Sequence, residues 1–455
     1  MPCVLVRLLS TLLATFPSPG SPRRLARRGL PVAGLILGLC LTLVAQNAIA
    51  QNVIAQPVEE PNELPSTAGE TGTTTDAATP LEPGSGAPGT DARDVGIEVE
   101  VEVERAAISI LGTRVDPGTR QRLVLRVTES FVGALVETPV IVTAGSEPGP
   151  TLCVMAGIHG DEINGVEIVR RLMTKVDPGR LRGNLIAIPI ANIAAFRRGS
   201  RYLPDRRDLN RFFPGRPFGS SASRIAHALF TQVVERCDGL VDLHTGSFLR
   251  TNIHQLRADL SHEGTAMLAH EYGPEVIVHH RGGAGTLRRA ATDAGIPAVT
   301  VEAGQPSRFD RNEVEKALRG LKRLLTARGM IESNASAPPA PPSVTYFQTS
   351  WTRSDQGGIL VSEVELGDEV NQGDLLGTIS DPLSGDVESL RAPHAGQIIG
   401  MAFDQLVMPG FAAYHIGLRP IPGSGLPDPS SENAEDLDEP DHDDPDDPDL
   451  EERPE

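Results

Sequence analysis

The sequence predicts an α/β protein: a central mixed sheet with helices on both faces, followed by a small all-β module. Three observations carry this expectation. Leu152 to Ala156 is a short apolar run that reads as a buried strand, and Ile163, Val166, Val169, Leu172 and Val176 follow it at helical spacing. Alternation of apolar strands with amphipathic helices then continues to residue 327. Beyond a Pro- and Ala-rich stretch at 333–344, the pattern changes to short apolar segments separated by Gly-Asp and Gly-rich turns.

The ends of the chain read differently from its middle. Arg23, Arg24, Arg27 and Arg28 precede an apolar run from Leu30 to Ala45 and then Ala48-Ile49-Ala50, which is the order of a secretory signal: positive region, hydrophobic region, small-residue cleavage site. Residues 1–50 are therefore taken as an N-terminal extension and signal peptide, with an exported, periplasmic mature chain starting near Gln51. The alternative is an uncleaved membrane anchor, since the run approaches bilayer-spanning length; with cleavage, no stable membrane partner is expected. Residues 51–95 lack an apolar period and are expected to be a disordered linker. Residues 421–455 are expected to be a disordered acidic tail, solubilising rather than cation-collecting.

Most of the net charge of −19 lies in those flanks, because residues 428–455 hold 15 acidic residues against one Arg and residues 51–95 hold 8 against one Arg. The stretch between them is nearly neutral. Without a basic stripe to meet phosphates, nucleic acid is excluded as a partner. Outside the leader the cysteines are Cys153 and Cys237, each beside an apolar segment, and two buried thiols are the simpler expectation than a disulfide.

Residues 96–332 form the expected α/β domain. Ile97 to Glu104 reads IEVEVEVE, an alternating edge strand; Val115-Asp116-Pro117-Gly118 is a turn, and Arg122 to Thr128 and Pro139 to Thr143 are further strands of a β preface. Leu185–Ile190, Gly239–Leu243, Glu275–Val278 and Ala298–Val301 read as strands. Helices are expected over Arg224–Glu235, near Thr286–Ala294 and over Asn312–Ala327. Residues 345–420 form the expected β module, and Gly357 to Gly417 resembles a lipoyl or biotinyl-carrier barrel without the modified Lys at the hairpin tip. It is read as a lid or packing unit.

Between the first strand and its helix, the turn Gly157–Glu162 places His159, Asp161 and Glu162 at the carboxyl end of a strand, where open α/β sheets bind ligands. His159 and Glu162 can converge on one metal ion, and His244 of DLHTG sits at a neighbouring strand end, with Asp242 and Thr245 placed to support it. On its own, a His-x-x-Glu pair arises by chance. The loop SRYLPDRRDLNRFFPG at 200–215 is dense in Arg, so Arg201 and Arg211 suit a carboxylate or an oxyanion; read alone, it would be a solvated surface. Glu302 in AVTVEAG ends a buried strand on the same side and suits a base, the bland alternative being an exposed strand-end carboxylate.

The ordered set GIHGDE, RDLNR, DLHTG and VEAG resembles the succinylglutamate desuccinylase/aspartoacylase family of zinc carboxypeptidase-like hydrolases over residues 150–420. The resemblance implies a zinc carboxypeptidase-like fold and one Zn²⁺ per chain held by His159, Glu162 and His244. It implies that Arg201 polarises the scissile carbonyl, that Asn210 and Arg211 grip a substrate carboxylate, and that Glu302 is the general base. The implied reaction is hydrolysis of an amide in a small N-acylated amino acid. The alternatives are a periplasmic zinc carboxypeptidase acting on small or cell-wall peptides and an inactive binding protein of the same fold. Asp161 is expected to support the ligands, Tyr414 or His394 to close the site from the C-terminal module, and Gly282-Gly283-Ala284-Gly285 to be a loop and helix cap. No feature of the sequence fixes the oligomeric state or the acyl group.

Overall fold

The computed structural model describes residues 107–129, 135–247, 249–332 and 341–419. Two short strands, β1 (Ile108–Ile110) and β2 (Thr113–Val115), lead into two long ones, β3 (Thr119–Glu129) and β4 (Leu135–Ala144). The two strands expected from the β preface are the middles of β3 and β4. The expected strand IEVEVEVE lies outside the described residues, as do the signal, the linker at 51–95 and the acidic tail.

The α/β region then runs β5 (Glu147–Ala156), α1 (Ile163–Lys175), β6 (Arg182–Ile188), α2 (Ile193–Phe196), α3 (Ser221–Gln232), β7 (Gly239–His244), β8 (Arg250–Ala258) and α4 (Glu263–Tyr272). It continues with β9 (Val276–His279), α5 (Leu287–Asp293), β10 (Ala298–Gly304) and α6 (Arg311–Ala327). Strand β8 and helix α4 were absent from the sequence reading. In RTNIHQLRA the alternate positions Arg250, Asn252 and His254 are polar yet buried, so the hydropathy pattern conceals a strand that partners made elsewhere in the fold can bury.

The expected all-β region is present as β11 (Val344–Tyr346), β12 (Thr349–Arg353), β13 (Gly358–Ser362), β14 (Glu369–Val370), β15 (Leu375–Ser380), β16 (Val387–Arg391), β17 (Gly396–Ala402), β18 (Gln405–Val407) and β19 (Ala412–Leu418). Residues 333–340 of the expected linker lie outside the described residues, and Val344 already pairs with Val276 of β9. The module is not a separate layer. Four of its strands form a sheet ordered β16-β15-β13-β18, whereas β12, β19 and β17 extend the central sheet, which runs β12-β19-β17-β8-β10-β7-β5-β6-β4-β3.

Within that sheet β6, β5, β7 and β10 run parallel, β3 and β4 are antiparallel to their neighbours, and β8 is antiparallel to β10 and β17 but parallel to β9, so it is mixed, as expected. Its two faces bury separate cores because successive side chains alternate. Leu152, Val154 and Ala156 of β5 join residues of α1, α4 and α6 on one face. Cys153 and Met155 join residues of α3 and α5 on the other. Helix α6 shows why such a segment is helical: Val314, Ala317, Leu318, Leu321, Leu324 and Leu325 fall on one buried stripe, and the Asp310 carboxylate caps the amides of Asn312 and Glu313. Each fully buried Leu there contributes about 1.5–3 kcal/mol.

Cys153 and Cys237 form a disulfide, with Cα atoms 5.8 Å apart. This corrects the expectation of two free thiols. Strand β7 pairs directly with β5, setting Cys153 beside Leu240, so the chain two residues before β7 brings Cys237 against β5. Only the strand order makes the two cysteines neighbours. Among the described residues, no helix is long and apolar enough to cross a membrane.

Candidate active site

The turn after β5 is shaped by a close approach of backbones. A Cβ on Gly160 would lie 2.1 Å from the carbonyl carbon of Ala195, so the turn can fold against α2 only with glycine there. Folding it there buries His159 at 2% exposure and Glu162 at 1%. His244, at the end of β7, is 4% exposed. His159 Nδ1 lies 2.8 Å from Glu162 Oε1, His244 Nδ1 lies 2.9 Å from Glu162 Oε2, and the two Nδ1 atoms are 3.2 Å apart. One ligand atom from each residue falls within 4.8 Å of the others, so this group could hold a metal ion.

Both imidazoles are oriented by carboxylates at their far nitrogens. His244 Nε2 donates to Asp242 Oδ2 at 2.8 Å, and His159 Nε2 donates to Asp208 Oδ1 at 3.0 Å. Those bonds leave the Nδ1 lone pairs turned inward, the arrangement that metal-ligating histidines require. The cluster favours positive charge. Burial opposes protonation of His244, yet Asp242 and Glu162 push its pKa well above the ordinary value. Burial would likewise raise Glu162, but the two histidines bring it down to about 2. A donor set of two neutral imidazoles and one carboxylate, held in a pocket that stabilises a cation, fits a divalent metal.

Thr245 supports the group as expected, its amide N–H donating to Glu162 Oε2 at 3.3 Å. Asp161 does not. Its backbone carbonyl accepts from Ser307 N, and its Oδ1 has no hydrogen-bond partner among the described residues. The expected support comes instead from Asp208, which the sequence reading passed over although it stands in RDLNR. Asp208 also accepts from Arg201 Nη2 at 2.8 Å and from Nε at 3.1 Å, a two-pronged ion pair. Burial would raise Asp208, but Arg201 and His159 hold it well below the usual carboxylate range.

Arg201 is thereby fixed beside the ligands, its Nη1 3.6 Å from Glu162 Oε1. Glu302 arrives through register. In the parallel pair of β7 and β10, Glu302 stands opposite His244 and Thr300 opposite Asp242, all four on one face of the sheet. Glu302 is 4% exposed, so it is not the surface carboxylate of the bland reading. His159, Glu162, His244, Arg201, Asn210, Arg211 and Glu302 line one cleft of about 180 Å³, joined by Arg257 and Arg288. That volume is well below the roughly 300–1,000 Å³ that drug-sized ligands occupy.

Asn210 has a second task. Its Oδ1 accepts from Leu287 N at 2.9 Å, capping α5 from a distant loop. The Gly282–Gly285 loop leads into that capped helix, as expected, and Gly282 and Gly283 wall the cleft. Tyr414 and His394 do not close it. Tyr414 is fully buried in the module's own core, with its hydroxyl 2.9 Å from Ser362 Oγ, and His394 is exposed; neither lines the cleft. The module's β17 instead meets β8, on the far side of β10 from His244.

Comparison with known proteins agrees with this geometry. Residues 148–328 match the family model of the succinylglutamate desuccinylase/aspartoacylase catalytic domain. N-alpha-acetyl-L-2,4-diaminobutyric acid deacetylase of Halomonas elongata is 26% identical over 298 residues, covering 62% of this chain and 85% of that protein. Succinylglutamate desuccinylase of Photorhabdus laumondii is 31% identical over 215 residues, covering 41% of this chain and 65% of that protein. Among solved structures, the product-bound ectoine utilization protein EutE (DoeB) of Ruegeria pomeroyi matches with a TM-score of 0.61 and 25% identity over 66% of this chain and 95% of that one. A succinylglutamate desuccinylase/aspartoacylase of Rhodobacter sphaeroides shares the fold, with a TM-score of 0.62 at 24% identity over 69% of this chain and 100% of that one. The matched relatives are deacylating hydrolases, and residues 148–328 of this chain are similar to the catalytic domain of the succinylglutamate desuccinylase/aspartoacylase family.

Proposed function

We propose that this protein is an exported zinc-dependent hydrolase that cleaves the amide bond of small N-acylated amino acids. The observation that carries the reading is the convergence of His159, Glu162 and His244 within 4.8 Å, with Glu302 registered directly beside His244. A bound Zn²⁺ supplies Lewis-acid polarisation of the scissile carbonyl and a lowered pKa for water. In this reading Glu302 takes a proton from the attacking water and returns it to the leaving nitrogen. Arg201, held by Asp208, stabilises the oxyanion that develops on the carbonyl. Arg211 and Asn210 bind the carboxylate of the amino acid, and with Arg257 and Arg288 also in the cleft the site favours anionic substrates. Export is supported by the Arg-rich, apolar and Ala-x-Ala order of residues 23–50 and by the Cys153–Cys237 disulfide, which persists in oxidising compartments.

A panel of N-acetyl and N-succinyl amino acids, including N-acetyl-L-2,4-diaminobutyrate and N-succinyl-L-glutamate, run beside short peptides, tests the reading. N-acyl amino acids should turn over, with one zinc per chain by elemental analysis. Glu302→Ala should keep the metal and lose at least about 10²-fold in kcat. Turnover of peptides alone would replace the deacylase with a carboxypeptidase, and absence of bound zinc in active protein would end the zinc reading.

A further inference from the structure

Strand β8 stands between the two parts of the molecule: β10, carrying Glu302, pairs on one side and β17 of the C-terminal module on the other. We infer that the module orients Glu302 through Asn252, with Gly400 as the contact that sets the Asn252 amide; this rests on the reading of Glu302 as the base.

Both oxygens of Glu302 are held from β8. Asn252 Nδ2 donates to Oε2 at 3.2 Å, and Arg257 Nε lies 3.5 Å from Oε1. Asn252 is buried, at 6% exposure. Across β8, its register partner is Gly400 of β17. A Cβ at position 400 would come within 2.6 Å of Asn252 Oδ1 and 3.3 Å of His415 Cβ. The bare α-carbon therefore leaves room for the amide oxygen while its NH₂ group faces Glu302.

The strands on both sides depart from regular pairing at this point. Register shifts occur between Glu302 and Gly304 of β10 where it pairs with β8, and between Ile398 and Gly400 of β17 where it pairs with β19. Such irregularities re-aim side chains beside active sites. The module also grips β8 along its length. Phe403 N and Gln405 Nε2 donate to Leu249 O at 2.9 and 3.0 Å, Arg250 Nε to Ala412 O at 2.8 Å, and Gln255 Nε2 to Ile399 O at 3.4 Å. The Arg250 guanidinium lies over the Phe411 ring at 4.6 Å and over Trp351 at 5.4 Å. A displacement of β17 is thus transmitted to the side chain that fixes the carboxylate, without any module residue entering the cleft. Asn252 and Gly400 are positioning residues: they touch the base or its holder, not the substrate.

The test uses the full chain and the N-acyl amino acid that the parent hydrolyses fastest. Asn252→Ala and Gly400→Ala should each lower kcat about 10- to 100-fold, as small misplacements of reacting groups do, with KM and metal content little changed. The double variant should be no slower than Asn252→Ala alone, because without the amide the new methyl group meets only His415 Cβ and Thr251 O, which do not touch Glu302. A crystal structure of Gly400→Ala should show the Asn252 amide beyond hydrogen-bond reach of Glu302. Parental kcat in Asn252→Ala, or the same loss from Gly400→Ala in both backgrounds, overturns the link. If Gly400→Ala does not fold, recovery of folding in the double variant supports the contact and failure of the double to fold overturns it. Glu302→Gln separates the two ideas: if it is inactive while Asn252→Ala is parental, only the link falls, whereas an active Glu302→Gln removes the base and the link together.

Discussion

At His244 the chemistry of the ring is decided two residues earlier in its own strand. Asp242 lies on the same face of β7 and accepts a hydrogen bond from the Nε2–H, which leaves Nδ1 to face Glu162. Asp242→Ala should therefore weaken metal binding about 10- to 100-fold in a chelator competition; an unchanged affinity would show that the ring holds its orientation without the carboxylate. This partner was legible, because period-2 spacing in DLH places both residues together. Asp208 was not. The loop offers Asp205 and Asp208 among four Arg, and local sequence does not say which one turns inward. The fold decides: Asp205 pairs with Arg207 at 3.0 Å on the surface, while Asp208 reaches His159 and Arg201.

At the scale of elements, α6 and β8 are tied by a half-buried charged group outside the cleft. Glu313 of α6 lies 3.0 Å from His254 Nδ1 and 2.9 Å from Lys316 Nζ, and His254 Nε2 lies 3.2 Å from the Tyr272 hydroxyl of α4. Burial would raise Glu313, but its bonds to His254 and Lys316 hold it below its ordinary 4.5. A depressed carboxylate stabilises the fold above its ordinary pKa, and that stabilisation is lost as pH falls through the folded value. Glu313→Gln should thus cost about 1.5–3 kcal/mol at pH 7, and urea melts should show the difference shrinking as pH drops below 4.5. A constant difference across that range would assign the loss to packing. α6 itself was legible from its apolar stripe, whereas β8 was hidden because its buried side chains are polar and their partners come from β10, α6 and the C-terminal module.

In the whole molecule, the Cys153–Cys237 disulfide closes a span of 84 residues between β5 and the entry to β7, the two strands that lead to His159 and His244. Replacing both cysteines by Ala should lower stability by about 2–5 kcal/mol, measured by urea unfolding of parent and variant under oxidising conditions. Reductant should move the parent towards the variant and leave the variant unaffected. Unfolding midpoints that coincide in oxidising buffer would show that the crosslink adds nothing to this fold. The C-terminal region belongs to the same scale. Its turns and short strands announced an all-β module, but its edge-to-edge pairing with β8 makes it a continuation of the central sheet rather than a lid.

The amino-acid sequence by itself determined the fold class, the main strand and helix alternation, the three residues able to ligate a metal, and Arg201 and Glu302 as their companions. It could do so because these features are local: apolar period, glycine turns, and polar residues at strand ends. Tertiary structure alone decided which carboxylate orients His159, that two cysteines meet, that Tyr414 lies in a core instead of over the cleft, and that Asn252 holds Glu302. Each of those depends on strand order and register, which bring together residues 49, 84 or 50 positions apart along the chain, separations that no local pattern encodes.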